Sequence, residues 1–432
     1  VAETAKIFNK CHLQFAGGFD MQINRPLYLD ELIAKRENGL IKVITGIRRS
    51  GKSYLLDPLF KNYLLADGVP ESNIIKIEFD RVENLQFHKA LEKLNNYIQS
   101  RIQKGTTYLL LDEIQLVENF EFLLTGLLYQ KNLDIYVTGS NSKFLSSDII
   151  TEFRGRDDQV RMYPLSFKEF MSVYKGEKQD AWTDYLTFGG MPLTCSMKRD
   201  ADKATYLKNL FQLTYFKDIV ERYKIKREDV LASIVNILAS SIGALTNPQK
   251  IYATYQSSGE KELSINTIHS YLAFLEDAFI VEKANRYDVK GRKYIQTPHK
   301  YYFSDIGLRN ACLNFRQQEE SHLMENLIYN ELVIRGFNVD VGLVEIREGN
   351  KRKQTEVDFI CNQGSARYYI QSALRLDTRE KTLQESRSLQ HIEDNFKKII
   401  IVKGSEKPWR TENGILILDV FDFLLDDEAL KF

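Results

Sequence analysis

A short apolar strand that runs directly into a glycine-bracketed loop constrains this chain most: Lys42-Val43-Ile44-Thr45-Gly46-Ile47-Arg48-Arg49-Ser50-Gly51-Lys52-Ser53 contains the complete phosphate-loop pattern GxxxxGKS. Triphosphate oxygens must be met by several backbone N–H groups at once, so the loop has to wrap tightly enough for its amides to converge. Gly46 and Gly51 permit that path around Ile47, Arg48, Arg49 and Ser50. Lys52 is spaced to bridge the β- and γ-phosphates and Ser53 to ligate Mg²⁺, while Tyr54 begins a helix whose positive end faces the anion. The expected ligands are ATP and Mg²⁺.

A second apolar strand, Tyr108-Leu109-Leu110-Leu111-Asp112-Glu113, ends in two carboxylates, a Walker B pattern. Its burial would deliver Asp112 to the metal's coordination sphere and leave Glu113 to polarise the water that attacks the γ-phosphate. The bland alternative is a core strand followed by a solvated acidic turn. Further strands are expected at Asn73–Phe79 and from Leu133 to Asn141, with helical patterns between them. This order predicts an α/β fold with a doubly wound parallel sheet and nucleotide at the carboxyl ends of its strands. Ser140 or Asn141 would then lie beside the γ-phosphate, or simply end a strand. Arg154 and Arg156, just ahead of a strand at Gln159–Tyr163, would either stabilise γ-phosphate charge, in cis or across a subunit interface, or stand as surface arginines.

At 432 residues the chain exceeds one ordinary core, so two to four domains are expected. Its 59 basic and 59 acidic residues cancel, which argues against a polycationic nucleic-acid coat but leaves local basic patches open. No apolar run approaches the roughly 20 residues of a membrane helix. Cys11, Cys195, Cys312 and Cys361 lack CxxC spacing, so neither a disulfide framework nor a zinc site is suggested and a cytoplasmic protein is expected. Residues 1–20 lack the layout of a secretion signal and are expected to be a leader or an appended remnant.

From about Met21 onward the chain resembles a family of prokaryotic AAA+-like ATPases, in which the P-loop domain is joined to a winged helix and a C-terminal restriction-endonuclease-like domain. The resemblance rests on Arg25-Pro26-Leu27-Tyr28, the phosphate loop, Leu111-Asp112-Glu113-Ile114-Gln115, Thr138-Gly139-Ser140-Asn141, Arg154-Gly155-Arg156, Tyr163-Pro164-Leu165-Ser166-Phe167 and Phe188-Gly189-Gly190-Met191-Pro192. It implies an ATPase domain at 21–200, a helical and winged-helix domain at 201–315 and a PD-(D/E)xK nuclease-like domain at 316–432. It also implies that Arg25 and Tyr28 lie near the adenine, although packing explains Tyr28 equally well, and that Ser140 or Asn141 acts as a polar sensor. No mechanical role for the last two motifs follows from sequence.

Helical patterns, then a strand at Ala278–Ala284, a tip at Val289–Lys293 and a return at Lys300–Phe303, fit a winged helix-turn-helix. Arg286, Lys290, Arg292, Lys293 and Lys300, interleaved with Tyr287 and Tyr294, are candidates for DNA contact through the 286–300 hairpin, or merely solvate it. In the C-terminal region Glu325, Asp358 and Gln371 match three positions of the nuclease arrangement, but Ala373 stands where its lysine belongs. Lys397 or Lys398, from a later element, would either replace that amine or stand as a surface pair. The expectation is a degenerate site used for binding rather than cleavage. Three functions remain open from sequence: an ATPase that rearranges its later domains on a partner such as DNA, a slow nucleotide-gated switch with a protein partner or a homo-oligomer, and an ATP-regulated nuclease.

Overall fold

The computed structural model describes residues 22–139, 155–257, 263–316, 319–348 and 351–431. The chain divides into two compact units, Val1–Pro164 with Asp277–Phe279, and Leu165–Glu276 with Ile280–Phe432. Among the described residues no helix is long and apolar enough to cross a membrane.

The first unit is built on β1 (Ile41–Thr45), β2 (Ile74–Glu78), β3 (Thr107–Asp112), β4 (Leu133–Thr138) and β5 (Asp157–Arg161), in the order β2-β3-β4-β1-β5. Every pairing is parallel. Side chains alternate along each strand, and both faces are covered, which is why β1 and β3 read as continuous apolar runs. Leu109, Leu111 and Val137 pack on the helices Leu91–Gln99 and Phe120–Leu127. On the other face Ile44, Leu110 and Tyr136 meet Leu29 and Leu32 of the Pro26–Ala34 helix. The doubly wound parallel sheet expected from sequence is present. Lys42 breaks the apolar pattern of β1 at no cost in unpaired charge: its buried Nζ is bonded to Asp134, which also accepts from the Tyr136 hydroxyl at 2.8 Å and the Glu37 N–H at 3.0 Å.

In the second unit the helices Glu228–Ser240, Pro248–Ser257 and Ile265–Asp277 precede a hairpin of β6 (Val281–Asp288) and β7 (Lys293–Phe303). A short backbone bridge joins Thr246 to His299. The hairpin then continues into β8 (Asn338–Glu348), β9 (Lys351–Gln363), β10 (Ala366–Ala373), β11 (Lys397–Val402), β12 (Trp409–Arg410) and β13 (Leu416–Asp419). Together they form one mixed sheet of eight strands, ordered β12-β13-β11-β10-β9-β8-β6-β7. Because β6 pairs in parallel with β8, the segments placed at 201–315 and 316–432 share a sheet instead of separating at residue 315.

The first boundary also differs, falling at Pro164 rather than 200. The reason lies in the two motifs to which sequence gave no role. Leu165 N–H donates to the Gly190 carbonyl at 2.8 Å, and the Tyr185 hydroxyl donates to the Leu165 carbonyl at 2.6 Å. The buried Asp305 carboxylate accepts from Gly190 N–H at 2.7 Å and from Leu308 N–H at 2.8 Å, capping the Ile306–Cys312 helix. Gly189 has φ +70°, and a Cβ there would lie 2.4 Å from an Asp305 carboxylate oxygen. Burial pushes the Asp305 carboxyl up to about 6, against the pull of the backbone N–H groups of Leu308, Gly190 and Gly307.

Gly189→Ala combines this collision with a left-handed backbone and is expected to lower stability by about 3 kcal/mol or more, read as a fall in the denaturant midpoint of the second unit.

Candidate nucleotide site

The phosphate loop follows the carboxyl end of β1. Gly46 has φ +135°, and a Cβ at that position would lie 2.0 Å from the Met162 carbonyl oxygen, so the approach of the loop to the end of β5 requires glycine. Gly51 sits at φ +101° immediately before the helix that opens with Lys52–Tyr54. Lys52 is buried and its Nζ donates to the carbonyls of Gly46 at 2.9 Å and Ile47 at 3.0 Å, folding the side chain over the loop. Burial pushes its ammonium down to about 8, while the charges of Glu113 and Asp112 pull the other way. Ser53 is exposed at the helix start, Tyr54 is half-buried, and the Ser50 hydroxyl is buried without a hydrogen-bond partner among the described residues.

Asp112 ends β3 beside this loop and is buried. Its carboxylate accepts a hydrogen bond from the Thr138 hydroxyl. Burial raises its pKa, the hydroxyls of Thr138 and Ser53 oppose the rise, and Glu113 and Asp80 add to it. Glu113 follows at φ +55°, an uncommon conformation for a residue with a side chain, and its carboxylate accepts from the Gln115 amide. Thr138 accepts from Glu113 N–H at 3.0 Å while donating to Asp112, so the end of β4 ties both carboxylate residues together. Sequence reasoning passed over Thr138 in favour of Ser140 and Asn141; its signal was a hydroxyl at the end of the strand adjoining Walker B. The oxygens of Ser53, at the helix start, and Asp112, at the end of β3, are hard ligands that suit Mg²⁺.

Ser140, Asn141 and Arg154 lie outside the described residues. Arg156 stands beside the start of β1: Ile41 pairs with Asp157, and Ile41 N–H donates to the Arg156 carbonyl at 3.0 Å. Five residues of extended strand, about 16 Å, separate that end from the phosphate loop, which removes the expectation that Arg156 acts in cis. Arg161 is the arginine at the loop end of β5, in register with Thr45. Arg25 and Tyr28 are both buried and engaged by the protein itself. The Arg25 guanidinium donates to the carbonyls of Ser50 at 3.0 Å and Tyr163 at 2.7 Å and lies 4.7 Å from the Tyr28 ring centroid. Tyr28 accepts from Tyr163 N–H at 3.1 Å. They clamp the phosphate loop to the chain after β5.

In the second unit Lys300 is buried, which corrects its expected role in DNA contact. Its Nζ lies 2.7 Å from Glu325, 2.6 Å from Glu356 and 3.3 Å from Asp358. Gln371 accepts from Asp358 N–H at 3.4 Å, and the Tyr302 hydroxyl donates to Glu325 at 2.7 Å. The structure therefore brings Glu325, Asp358 and Gln371 together with Glu356 and an amine from β7. Lys397 and Lys398 instead bond to the backbone carbonyls of Lys431 and Ile392. Lys300 gave no distinguishing signal in sequence beyond a lysine heading the aromatic run Tyr301-Tyr302-Phe303. Lys290, Arg292 and Lys293 remain exposed at the hairpin tip, Arg286 and Tyr287 are half-buried, and the Tyr294 hydroxyl donates to Asp340 at 3.0 Å.

A Haemophilus influenzae protein described as uncharacterised is 34% identical over 410 residues, covering 93% of this chain and 98% of that protein. The chain belongs to that protein's family. An uncharacterised Methanocaldococcus jannaschii relative is 30% identical over 333 residues, 74% of this chain and 71% of the relative. Within this family member, residues 38–171 match a family described as an AAA domain and residues 179–319 one described as a domain of unknown function (DUF8612). Among solved structures, the Walker-type ATPase PABY2304 of Pyrococcus abyssi is similar over 71% of this chain and 99% of its own, at 15% identity and a TM-score of 0.46. AMPPCP-bound DnaA from Aquifex aeolicus is similar over 57% of this chain and 85% of its own, at 17% identity and a TM-score of 0.28. The first unit is an AAA+-like P-loop ATPase domain, and a mixed-sheet region follows it.

Replacing the Lys300 amine with an apolar side chain leaves three converging carboxylates without their cation. Lys300→Met is expected to cost about 3–5 kcal/mol at neutral pH. Burial raises the Glu325 carboxyl above its unfolded value of 4.5, with Lys300 opposing the rise and Asp358 adding to it. A raised carboxyl contributes stability below its unfolded value and loses that contribution as pH rises through its folded value. The penalty should therefore shrink toward pH 4.5, as compared by denaturant midpoints of both proteins across that range.

Proposed function

We propose that the protein is a Mg²⁺-dependent ATPase whose turnover rearranges the second unit on a nucleic-acid partner. One observation carries the catalytic part: the Asp112 carboxylate, buried at the end of β3 beside the phosphate loop, is hydrogen-bonded by Thr138 of β4, which also holds the backbone of Glu113. Lys52 and the backbone amides from Gly46 to Gly51 would bind the phosphates, with Lys52 exchanging loop carbonyls for phosphate oxygens. Ser53 and Asp112 would hold Mg²⁺, which supplies positive charge to the phosphate oxygens. Glu113, held by Gln115, would orient and polarise the attacking water, and Thr138 would fix its backbone. Arg154 and Arg156 are proposed to act, if on phosphate, toward the site of a neighbouring copy.

The partner reading draws on the second unit. Three helices, the Thr246–His299 bridge and a hairpin with Lys290, Arg292 and Lys293 exposed at its tip support a winged helix that contacts DNA phosphates. For the nuclease-like segment, occupation of Glu325, Glu356 and Asp358 by Lys300 supports binding without cleavage.

Steady-state ATP hydrolysis tests the reading. Glu113→Gln is expected to lower kcat by about 10²–10⁴-fold with ATP binding retained, whereas Lys52→Ala should lose binding as well. DNA should raise the wild-type rate; turnover indifferent to DNA would favour a nucleotide-gated switch with a protein partner, and hydrolysis unchanged in Glu113→Gln would remove the assigned base.

A further inference from the structure

We infer that the second unit holds a single-stranded nucleic acid in a cleft running from the hairpin tip onto the C-terminal sheet. This deepens the proposed nucleic-acid role, on which it rests, and recruits residues outside the hairpin. The cleft, of about 910 Å³, lies between Lys290 and Arg292 of the tip and Arg367 and Phe396 beyond it. A second hollow of about 590 Å³ shares Tyr287, Asn362 and Arg367 with the first, so the two lie side by side at these residues.

The chemistry of the walls selects the ligand. Lys290, Arg292 and Lys293 are exposed and make no ion pair among the described residues. Arg367 likewise has no carboxylate partner: its Nε donates to the Asn362 side chain at 2.7 Å, and its guanidinium lies 5.3 Å from the Phe396 ring centroid and 6.0 Å from that of Tyr287. Three of these cations, Lys290, Arg292 and Arg367, line the cleft, and Lys293 stands exposed beside them at the hairpin tip. Of the acids lining the cleft, Glu345 pairs with Arg352 at 3.5 Å, while Glu393 and Asp394, the latter accepting from the Tyr369 hydroxyl and from Phe396 N–H, have no cation partner among the described residues.

Aromatic rings separate a single strand from a duplex. Phe396 is 42% exposed and Tyr294, in the second hollow, 64% exposed. Exposed rings interspersed with arginine and lysine offer stacking surfaces that paired bases inside a duplex cannot reach, whereas unpaired bases can. Lysines at the tip would follow the phosphates, and Arg367, already seated between two rings, would stack on a base or meet a phosphate where the two hollows adjoin.

Fluorescence anisotropy with the full chain tests this, using a labelled oligothymidylate and a duplex of equal length. The single strand should bind about 10-fold or more tightly than the duplex, and Arg367→Ala with Phe396→Ala should weaken it by a similar factor. Lys290→Ala with Arg292→Ala, at exposed positions that leave folding intact, should reduce the slope of log affinity against log salt by about 1.4. Equal or tighter duplex binding, or affinity unchanged in both double variants, overturns the inference. Lys52-dependent ATP turnover is measured on the same samples. Turnover without oligonucleotide binding sinks the inference and spares the ATPase reading; binding without turnover does the reverse.

Discussion

Parallel hydrogen bonding of β1 to β4 on one side and to β5 on the other is the constraint on which the first unit depends. It sends the carboxyl ends of β1, β3 and β4 to one edge of the sheet, and everything chemical follows from that edge. The phosphate loop leaves β1 there, Asp112 ends β3 there, and Thr138 ends β4 within hydrogen-bonding reach of Asp112 and Glu113. The same register sends Arg156 to the opposite edge. An arginine close to a motif in sequence is thereby separated from the site by the length of a strand, while Arg161, five residues later, arrives beside Thr45.

The second unit depends on a different device, the burial of charge with its partners supplied. Asp305 gathers backbone N–H groups from Gly190 and from the first turn of the helix it caps, and so joins segments more than a hundred residues apart. That junction brings Gly189 and Gly190 against Asp305 and Leu165 within the second unit. Lys300 plays the complementary part as a buried cation for Glu325, Glu356 and Asp358. A buried ion cluster is weak evidence for stability but a strong constraint on conformation, since losing Lys300 would leave three carboxylates without their cation in low dielectric.

Local pattern made the parallel sheet and the phosphate loop legible. Continuous apolar runs in β1 and β3 signalled strands buried on both faces, and the spacing of Gly46, Gly51, Lys52 and Ser53 reflects a local backbone path that no distant residue needs to complete. The Ile265–Asp277 helix and the hairpin after it were legible for the same reason, since periodicity and a turn are short-range signals. Arg25 and Tyr28 were not, because a guanidinium that could stack on a base can equally satisfy carbonyls of Ser50 and Tyr163, and only the fold determines which group comes near.

The sequence by itself determined that a triphosphate loop and a metal-directed carboxylate occur on two buried strands in the order an ATPase requires, because those requirements are written in residue type and close spacing. Tertiary structure decided which side chains meet across long separations: Thr138 with Asp112, Asp305 with Gly190, and Lys300 with three carboxylates. It also decided that the hairpin belongs to the C-terminal sheet, because strand pairing between β6 and β8 is settled by backbone geometry and by the faces left to bury, neither of which a linear pattern encodes.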